Sequence, residues 1–373
     1  MIRFTKSTQV LTVMAVAALA LTACGNDKVG SGKADISSPL CGQNLAFLGA
    51  LTTDPGALGQ NMVGGIELAL KEFNDKHPKC QIGLKKFDSQ GSGDNAPKLA
   101  DEIVSDDSIF GLVGPGFSGE SLATGETFFK AGLPSISPSA TNVTITQQGW
   151  TTWHRVIGND DAQGKADAAY LTGTAGASKV FVVDDGQDYG KGLAGTVQEA
   201  LGDALVGTGR IAVSQTDMSD IVVKVESLDA DAVFFGGFYP EAGTLVKALR
   251  AGGFKGTFMS GDGSEDPNFV KAAGAEAAEG AVLSAPAGPP PDGFGASGLY
   301  ATQAYDATTI FLAALEAGAS TPDEINRFIG NYTGDGVSGP LAVGPDGDIM
   351  QSTIYAYSVE NGELDVADPQ AIS

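Results

Sequence analysis

The chain has 373 residues and a formal net charge of −23, from 45 acidic and 22 basic side chains. A surface that binds phosphate groups needs clustered lysine and arginine, so this charge argues against nucleic acid and anionic lipid as partners. Hydrophobic residues make up 42% of the chain. Its length exceeds the ~250–300 residues at which a single core stops growing, so two domains are expected.

An apolar run near the N terminus follows two basic residues and ends in Leu21-Thr22-Ala23-Cys24. This arrangement resembles a bacterial lipoprotein signal, in which the leader is cut before the cysteine and the cysteine then carries lipid. A transmembrane helix fits less well, because the apolar stretch 10–20 is shorter than the ~18–20 residues that cross a bilayer. We therefore expect a leader over 1–23, lipid on Cys24, a flexible tether over 24–41 and an extracytoplasmic protein anchored to the membrane.

Apolar runs of strand length alternate with helical patterns from Asn44 almost to the end of the chain. The first such unit is a strand at 44–51 and a helix at 56–77, with apolar residues at helical spacing. This βαβ repetition predicts an α/β fold with doubly wound parallel sheets, covered by helices on both faces. The other predicted elements are a helix near 94–106 and strands at 81–88, 109–114, 133–138, 152–157, 179–185, 209–214, 231–238, 256–261 and 280–285.

Two cysteines remain once Cys24 is assigned to lipid, an even number in an exported protein. Cys41 precedes the first predicted strand and Cys80 the second. In a sheet of strand order 2-1-3-4-5 these strands are parallel neighbours, so both cysteines lie at the same end of the sheet. We predict that they form a disulfide; the alternative is a pair of free buried thiols.

The loops after the predicted strands contain the unusual sequences, and open α/β sheets bind ligands at that edge. Gly114-x-Gly116-x-x-Gly119 matches the dinucleotide fingerprint formally. It follows the third strand instead of the first, however, holds a proline inside the turn and lacks the acidic residue about twenty positions on. We expect it instead to present backbone N–H groups and the Ser118 hydroxyl at a helix start, as a site for a small carboxylate.

Enzymatic chemistry has little support in the sequence. Neither of the two histidines lies in a loop with a nucleophile, and no nucleophile elbow, zinc-protease motif or phosphate-binding loop occurs. Asp346-Gly347-Asp348 lacks the spaced ligands of a calcium loop and is interpreted as a turn. We expect no catalytic residues, no metal and no cofactor.

Five stretches together resemble a known family, the type I periplasmic substrate-binding proteins of ABC transporters, and in particular the branched-chain amino acid binding proteins. The resemblance covers about residues 44–360 and implies two lobes joined by three crossings near residues 158, 286 and 350. It assigns 42–158 and 287–350 to one lobe, and 159–286 and 351–373 to the other. The stretches are GLVGPGFSG, AGLPSISPSATN, VVDDGQDYGKGLA, AVFFGGFYPEAGTLVKALRAGG and FMSGDG.

The resemblance also implies a set of ligand-binding residues. Ser118 and Thr141 would hold the α-carboxylate of an amino acid, and the α-amine would meet the Ser139 carbonyl, the Thr141 hydroxyl and Asp262. A zwitterion that leaves water needs both charges met in this way, because unpaired burial costs several kcal/mol. The complete set is Ser118, Ser139, Ala140, Thr141, Tyr189, Phe238, Asp262, Leu58 and Tyr300.

This chain departs from the family at positions that bear on the ligand. Asp262 stands where the family often has glutamate, Phe238 where it often has tyrosine, and Leu58, in the first βα loop, where an aromatic residue is common. Tyr300 aligns with an aromatic position of the side-chain pocket, or is ordinary core. The shorter acid requires lobe closure or a bridging water to reach an ammonium group, or else the ligand is not a simple α-amino acid.

The resulting hypothesis is a monomeric solute-binding protein that delivers a small branched-chain or related amino acid to a membrane permease. The same fold could instead signal occupancy to a receptor, or bind an amide or an aromatic acid. A secreted enzyme on an α/β scaffold is the remaining alternative.

Overall fold

A computed structural model describes residues 36–373. The predicted leader, the Cys24 lipidation site and most of the predicted tether lie outside this range. Among the residues described, no helix is both long and apolar enough to cross a membrane.

The first sheet contains five parallel strands in the order β2-β1-β3-β4-β5. The interior strand β1 is buried on both faces, as expected for a parallel sheet between two layers of helices. Helix α1 ends one residue before His77, and the proline that follows His77 disfavours helical backbone there. The elements are β1 (Asn44–Gly49), α1 (Gly56–Lys76), β2 (Gly83–Asp88), α2 (Ala96–Val104), β3 (Ile109–Val113), α3 (Ser118–Ala131), β4 (Ser135–Ser137) and β5 (Trp153–Arg155).

The second sheet repeats this topology, with five parallel strands in the order β7-β6-β8-β9-β10. The repeated order makes each half of the molecule a doubly wound α/β unit. Its elements are α4 (Asp160–Ala169), β6 (Val180–Asp184), α5 (Asp188–Leu201), β7 (Leu205–Arg210), α6 (Ser219–Ser227), β8 (Ala232–Gly236), α7 (Tyr239–Ala251), β9 (Thr257–Ser260), α8 (Pro267–Ala273), α9 (Ala275–Ala278) and β10 (Val282–Ala285).

The chain then returns to the first sheet, where α10 packs against α1 and β3. The ring of Phe311 lies against Gly111 of β3, so closely that a side chain at position 111 would collide with it. A last crossing adds β13 antiparallel to β10 in the second sheet. These elements are α10 (Ala301–Glu316), α11 (Pro322–Ile329), the hairpin β11 (Thr333–Gly336) and β12 (Gly339–Ala342), and β13 (Tyr355–Glu360), β14 (Glu363–Leu364) and β15 (Gln370–Ala371). We call each sheet with the helices packed on it a lobe.

Three segments connect the lobes, and they touch at one point. A Cβ atom placed on Gly158 would lie 2.3 Å from the Ser352 hydroxyl and 3.0 Å from Cβ of Pro286. Each of these residues belongs to a different crossing, so the position is closed to any side chain. The predicted arrangement of two doubly wound lobes on a three-segment hinge is confirmed.

The structure corrects one predicted strand. The prediction of 209–214 is wrong: β7 spans Leu205–Arg210. The ring of Phe181 on neighbouring β6 packs against Gly207 and Gly209, which leaves no space for larger residues there. Glycines weaken a strand pattern in sequence, whereas the apolar residues from Ile211 to Val213 imitate one.

The predicted disulfide is present between Cys41 and Cys80, whose Cα atoms are 4.6 Å apart. Cys41 precedes β1 and Cys80 precedes β2, which are parallel neighbours. The bridge therefore lies at the amino ends of the strands, at the edge opposite the loops described next.

Candidate ligand-binding site

The loops after β3 and β4 lie side by side at the carboxyl edge of the first sheet. The Ser137 hydroxyl donates to the Pro115 carbonyl at 2.7 Å, and the Ser139 hydroxyl donates to the Gly116 carbonyl. The Asn142 N–H donates to Ser118 Oγ at 3.3 Å. These bonds fix the two loops to each other, so the groups they present keep a constant spacing.

The start of helix α3 is only partly free. The N–H of Gly116 donates to the Leu48 carbonyl at 2.8 Å, and the N–H of Phe117 donates to Glu120 Oε2 at 3.1 Å. The N–H groups of Ser118 and Gly119 donate to no other group between residues 36 and 373. Fewer N–H groups than predicted are therefore available, but a carboxylate can still meet two of them and the Ser118 hydroxyl at a helix N terminus.

Glu120 is a fully buried acid beside this helix start. Its other carboxylate oxygen accepts a hydrogen bond from the Ser89 hydroxyl. Burial raises the pKa of Glu120 to about 8, although both hydrogen bonds oppose the rise. The side chain is thus largely uncharged near neutral pH and does not repel an anion at the start of α3.

Arg155 holds the loop after β4 from behind. Its Nη1 donates to the carbonyls of Ala140 at 2.8 Å and Asn142 at 3.1 Å, and its Nε pairs with Asp348. The Ala140 N–H donates to Ser137 Oγ, so both backbone polar groups of Ala140 are engaged within the protein. Ala140 therefore acts on the site through the position of its loop.

Two acceptors on the same loop are unengaged. Within residues 36–373 the buried Thr141 hydroxyl has no hydrogen-bond partner and the Ser139 carbonyl accepts no hydrogen bond. Asp160, fully buried at the start of α4, is likewise unpartnered at both carboxylate oxygens in this part of the chain. Burial raises its pKa to about 7, while the positive charge of Arg155 acts in the opposite direction.

The second lobe contributes an acid held by two tyrosines. Asp262 is only 1% exposed. Its Oδ1 accepts from the Tyr189 hydroxyl at 2.6 Å and its Oδ2 from the Tyr300 hydroxyl at 2.5 Å. Burial raises the pKa of Asp262, and both tyrosine hydrogen bonds oppose this rise. Tyr300 immediately precedes α10 of the first lobe, so this acid is bound from both lobes.

Aromatic rings form the wall of the site. The ring of Phe238 lies 5.2 Å from that of Tyr189 and 5.5 Å from that of Phe117, which belongs to the first lobe. Leu58 lies in the first turn of α1, not in the preceding loop as expected, and it is fully buried. The wall presented to a ligand side chain is therefore apolar.

The lobes are in a closed arrangement. The Asn142 side-chain amide donates to the Asp188 carbonyl at 2.7 Å, and the Tyr239 hydroxyl donates to Asp54 Oδ1 at 3.4 Å. Both bonds cross the cleft. The predicted site residues Ser118, Ser139, Thr141, Tyr189, Phe238 and Asp262 all lie on loops or helix starts at this interface.

Sequence reasoning missed Phe117, Asn142, Arg155 and Asp160. Asn142 ends the SPSATN stretch. Its side-chain amide is a polar group in a loop, outside any regular strand or helix. Arg155 is a charged residue inside a strand otherwise suited to burial, which is a signal that it pairs within the core. Asp160 follows Asn159, which caps α4 by accepting from the Ala162 N–H at 3.1 Å.

The site has no nucleophile–base pair among the described residues. Ser118 Oγ contacts the Asn142 N–H, and His154 Nε2 is 3.0 Å from the Asn326 side chain. The arrangement can bind a small molecule with an anionic and a cationic group, and enclose it by rotation of the lobes.

Two doubly wound lobes on a three-segment hinge, with polar loops facing each other across a cleft, define a type I periplasmic binding protein. The chain belongs to the periplasmic binding protein family, whose sequence pattern it matches over residues 42–363. This is a family of solute-binding proteins that function outside the cytoplasm.

Individual relatives agree with this assignment. The Leu/Ile/Val-binding protein BraC3 of Rhizobium johnstonii is 27% identical over 346 residues, which cover 87% of this chain and 93% of that protein. An amino acid binding protein of Pseudomonas aeruginosa is 30% identical over 74% of this chain and 79% of its own length. The resemblance to branched-chain amino acid binding proteins is confirmed.

Solved structures share the fold. The branched-chain amino acid transporter substrate-binding protein LivJ of Streptococcus pneumoniae, in complex with isoleucine, aligns with a TM-score of 0.79 at 25% identity. The alignment covers 88% of this chain and 99% of that one. A solute-binding protein of R. palustris in complex with benzoate aligns with a TM-score of 0.76 over 89% and 97% of the two chains. At 18% identity the latter shows the fold alone.

Proposed function

We propose that this chain is the solute-binding component of an ABC importer and captures a small α-amino acid, branched-chain or related, between its lobes. The observation that carries the proposal is that groups suited to an anion and groups suited to a cation lie at the same interface between the lobes. The Ser118 hydroxyl and adjacent N–H groups suit a carboxylate. Asp262 and the Ser139 carbonyl suit an ammonium group. Neither half alone would satisfy a buried zwitterion.

Closure would complete the site. The amino acid first binds the loops of the first lobe through Ser118, Ser139 and Thr141, and rotation then brings Tyr189, Phe238 and Asp262 over it. Affinity comes from contacts made only in the closed form, with no covalent step. The permease would recognise that closed form.

The side chain of the ligand would contact Leu58, Phe238 and Tyr300. These groups are apolar except for the Tyr300 hydroxyl, which is engaged with Asp262. An aliphatic side chain suits such a wall, as the names of the relatives also suggest. Both oxygens of the Asp262 carboxylate accept hydrogen bonds from tyrosine hydroxyls. Asp160 and the Thr141 hydroxyl would therefore share the ligand ammonium group with it.

The proposal also covers the cellular location, the processing and the domain organisation of the protein. Residues 1–23 are removed, Cys24 carries lipid, and residues 24–41 tether a monomeric body to the membrane. The lobes comprise 42–158 with 287–350 and 159–286 with 351–373. The chain has no catalytic activity in this proposal.

The test is calorimetry and thermal shift with leucine, isoleucine, valine, other α-amino acids, benzoate and short amides. A ligand present at about 100 times its dissociation constant stabilises the fold by about 2.7 kcal/mol. We expect Asp262→Asn to weaken amino acid binding at least about tenfold, since it removes a charged partner, with exposed Asp203→Asn as the matched control. Binding of benzoate or an amide without any α-amino acid would refute the proposal.

A further inference from the structure

A second cavity lies between the lobes, beside the cleft site. Its volume is about 490 Å³, within the range of small-molecule pockets. Ala57 and Asn61 line it from α1 of the first lobe, and Glu265, Asn268 and Lys271 line it from around α8 of the second. Tyr300 also lines it, while its hydroxyl points to Asp262. Ser118, Thr141 and Asp262 of the cleft site are not among the residues that line this cavity.

Glu265 is an unusual feature of this cavity. The residue is only 6% exposed, yet no group within residues 36–373 donates a hydrogen bond to its carboxylate. Burial raises its pKa well above the ordinary value, and the nearby Asp266 and Asp262 carboxylates raise it further. Both neighbouring carboxylates therefore disfavour the ionised form of Glu265.

The charged neighbours Asp266 and Lys271 are both engaged with Asn268. Asp266 accepts from the Asn268 N–H at 2.7 Å, where it caps α8. The Lys271 ammonium donates to the Asn268 side-chain oxygen at 2.8 Å. The cavity therefore contains a nearly buried carboxylate that accepts no hydrogen bond within residues 36–373.

A buried carboxylate without a partner destabilises the fold unless a hydrogen-bond donor, preferably a cation, meets it. We propose that this cavity is a second ligand site that binds a small primary amine through Glu265, separately from the amino acid site. The ammonium group supplies donors, and the alkyl part packs against the apolar groups of the cavity. The occupant contacts both lobes, so its binding favours the closed form.

The probe is n-butylammonium, with n-butanol as its uncharged counterpart of similar shape, measured by calorimetry on the full chain. Wild-type protein is expected to bind n-butylammonium and not n-butanol. Glu265→Gln should weaken amine binding about tenfold or more, because it replaces a charge-assisted hydrogen bond by a neutral one. Exposed Glu276→Gln is the matched control and should leave it unchanged.

Two further variants make the test independent of Glu265 and of the amino acid site. Ala57→Leu fills the cavity from the other lobe and should abolish amine binding. Ser118→Ala alters the amino acid site without altering a residue that lines the cavity, so it should leave amine binding intact. No binding to the wild type, equal binding by Glu265→Gln, or loss of amine binding only in Ser118→Ala would overturn the proposal. None of these outcomes depends on whether α-amino acids bind in the cleft.

Discussion

The Tyr300 hydroxyl donates a 2.5 Å hydrogen bond to Asp262 across the two lobes. Tyr300 precedes a helix that packs on the first lobe, whereas Asp262 follows the strand β9 of the second. In the proposed function, the acid that meets the ligand ammonium therefore also contributes to lobe closure. Ligand recognition and closure share one side chain.

Replacing Tyr300 with phenylalanine should weaken ligand binding by about tenfold, because a hydrogen bond to a charged group contributes about 1.5–3 kcal/mol. Calorimetry with the best amino acid ligand measures the change. Tyr305→Phe is a matched control, since its hydroxyl donates to the exposed Glu72 at 2.6 Å, away from the cleft. Equal affinities of the two variants would show that the Tyr300 bond is not part of the binding equilibrium.

Asn142→Asp should favour the open form. The substitution keeps the side-chain oxygen that accepts from the Thr144 N–H at 2.8 Å but removes the amide that donates to the Asp188 carbonyl. Since that bond exists only when the lobes meet, we expect faster ligand dissociation by stopped-flow fluorescence, with little change in the association rate. A change confined to association would contradict this assignment.

Glu120 should make the stability of the protein fall as pH rises. Its folded-state pKa is about 8 against an ordinary value of 4.5, so the folded state retains a proton that the unfolded chain loses. Stability is greatest below about pH 4.5 for this group and declines by roughly 1 kcal/mol per pH unit until about pH 8. Urea unfolding from pH 5 to 8 should show a shallower decline in Glu120→Gln.

Asp160 and Asp185, whose pKa values burial raises to about 7, act in the same direction and contribute to the slope that remains. Exposed Glu126→Gln, on the same helix as Glu120, is the control and should keep the wild-type slope. If Glu120→Gln also keeps it, the carboxyl is ionised in the folded protein at neutral pH.

Removing the disulfide should reduce stability without affecting the site. Cys41 and Cys80 close a loop of 39 residues, for which chain-entropy estimates give about 4 kcal/mol. The bridge lies at the amino ends of β1 and β2, away from the binding loops. The Cys41→Ser/Cys80→Ser variant should unfold at lower urea concentration and bind ligand with wild-type affinity at low temperature. Loss of affinity in a variant that remains folded would be evidence of coupling across the sheet.

The fold and the outline of the site follow from the sequence because both depend on local patterns. Strand-length runs alternating with helices define parallel sheets, and the carboxyl ends of parallel strands meet at one edge. This topology predicts that Ser118 and Thr141 lie on neighbouring loops. The Cys41–Cys80 pair followed from the same topology.

Contacts between distant segments could not be predicted in this way. Arg155 pairs with Asp348, nearly two hundred residues later, and also donates to the Ala140 carbonyl of the loop after β4. Tyr300, which donates to Asp262, has a φ of +69°. A pattern of apolar residues does not predict this left-handed backbone conformation. The position of β7 was predicted wrongly because its glycines, which weaken a strand pattern in the sequence, make room for the Phe181 ring of β6.

The three crossings meet at Gly158, and the position of this contact determines where on the protein surface lobe closure produces the largest movement. Rotation about one narrow point moves each surface atom in proportion to its distance from that point. Asp54 and Tyr239 belong to the cleft rim remote from the crossings, where strands β1 and β2 lie away from β5. In the proposed function, a permease that contacts this rim would detect the angle between the lobes without touching the ligand. Solutes of different chemistry that close the lobes to the same angle would then be equivalent to it.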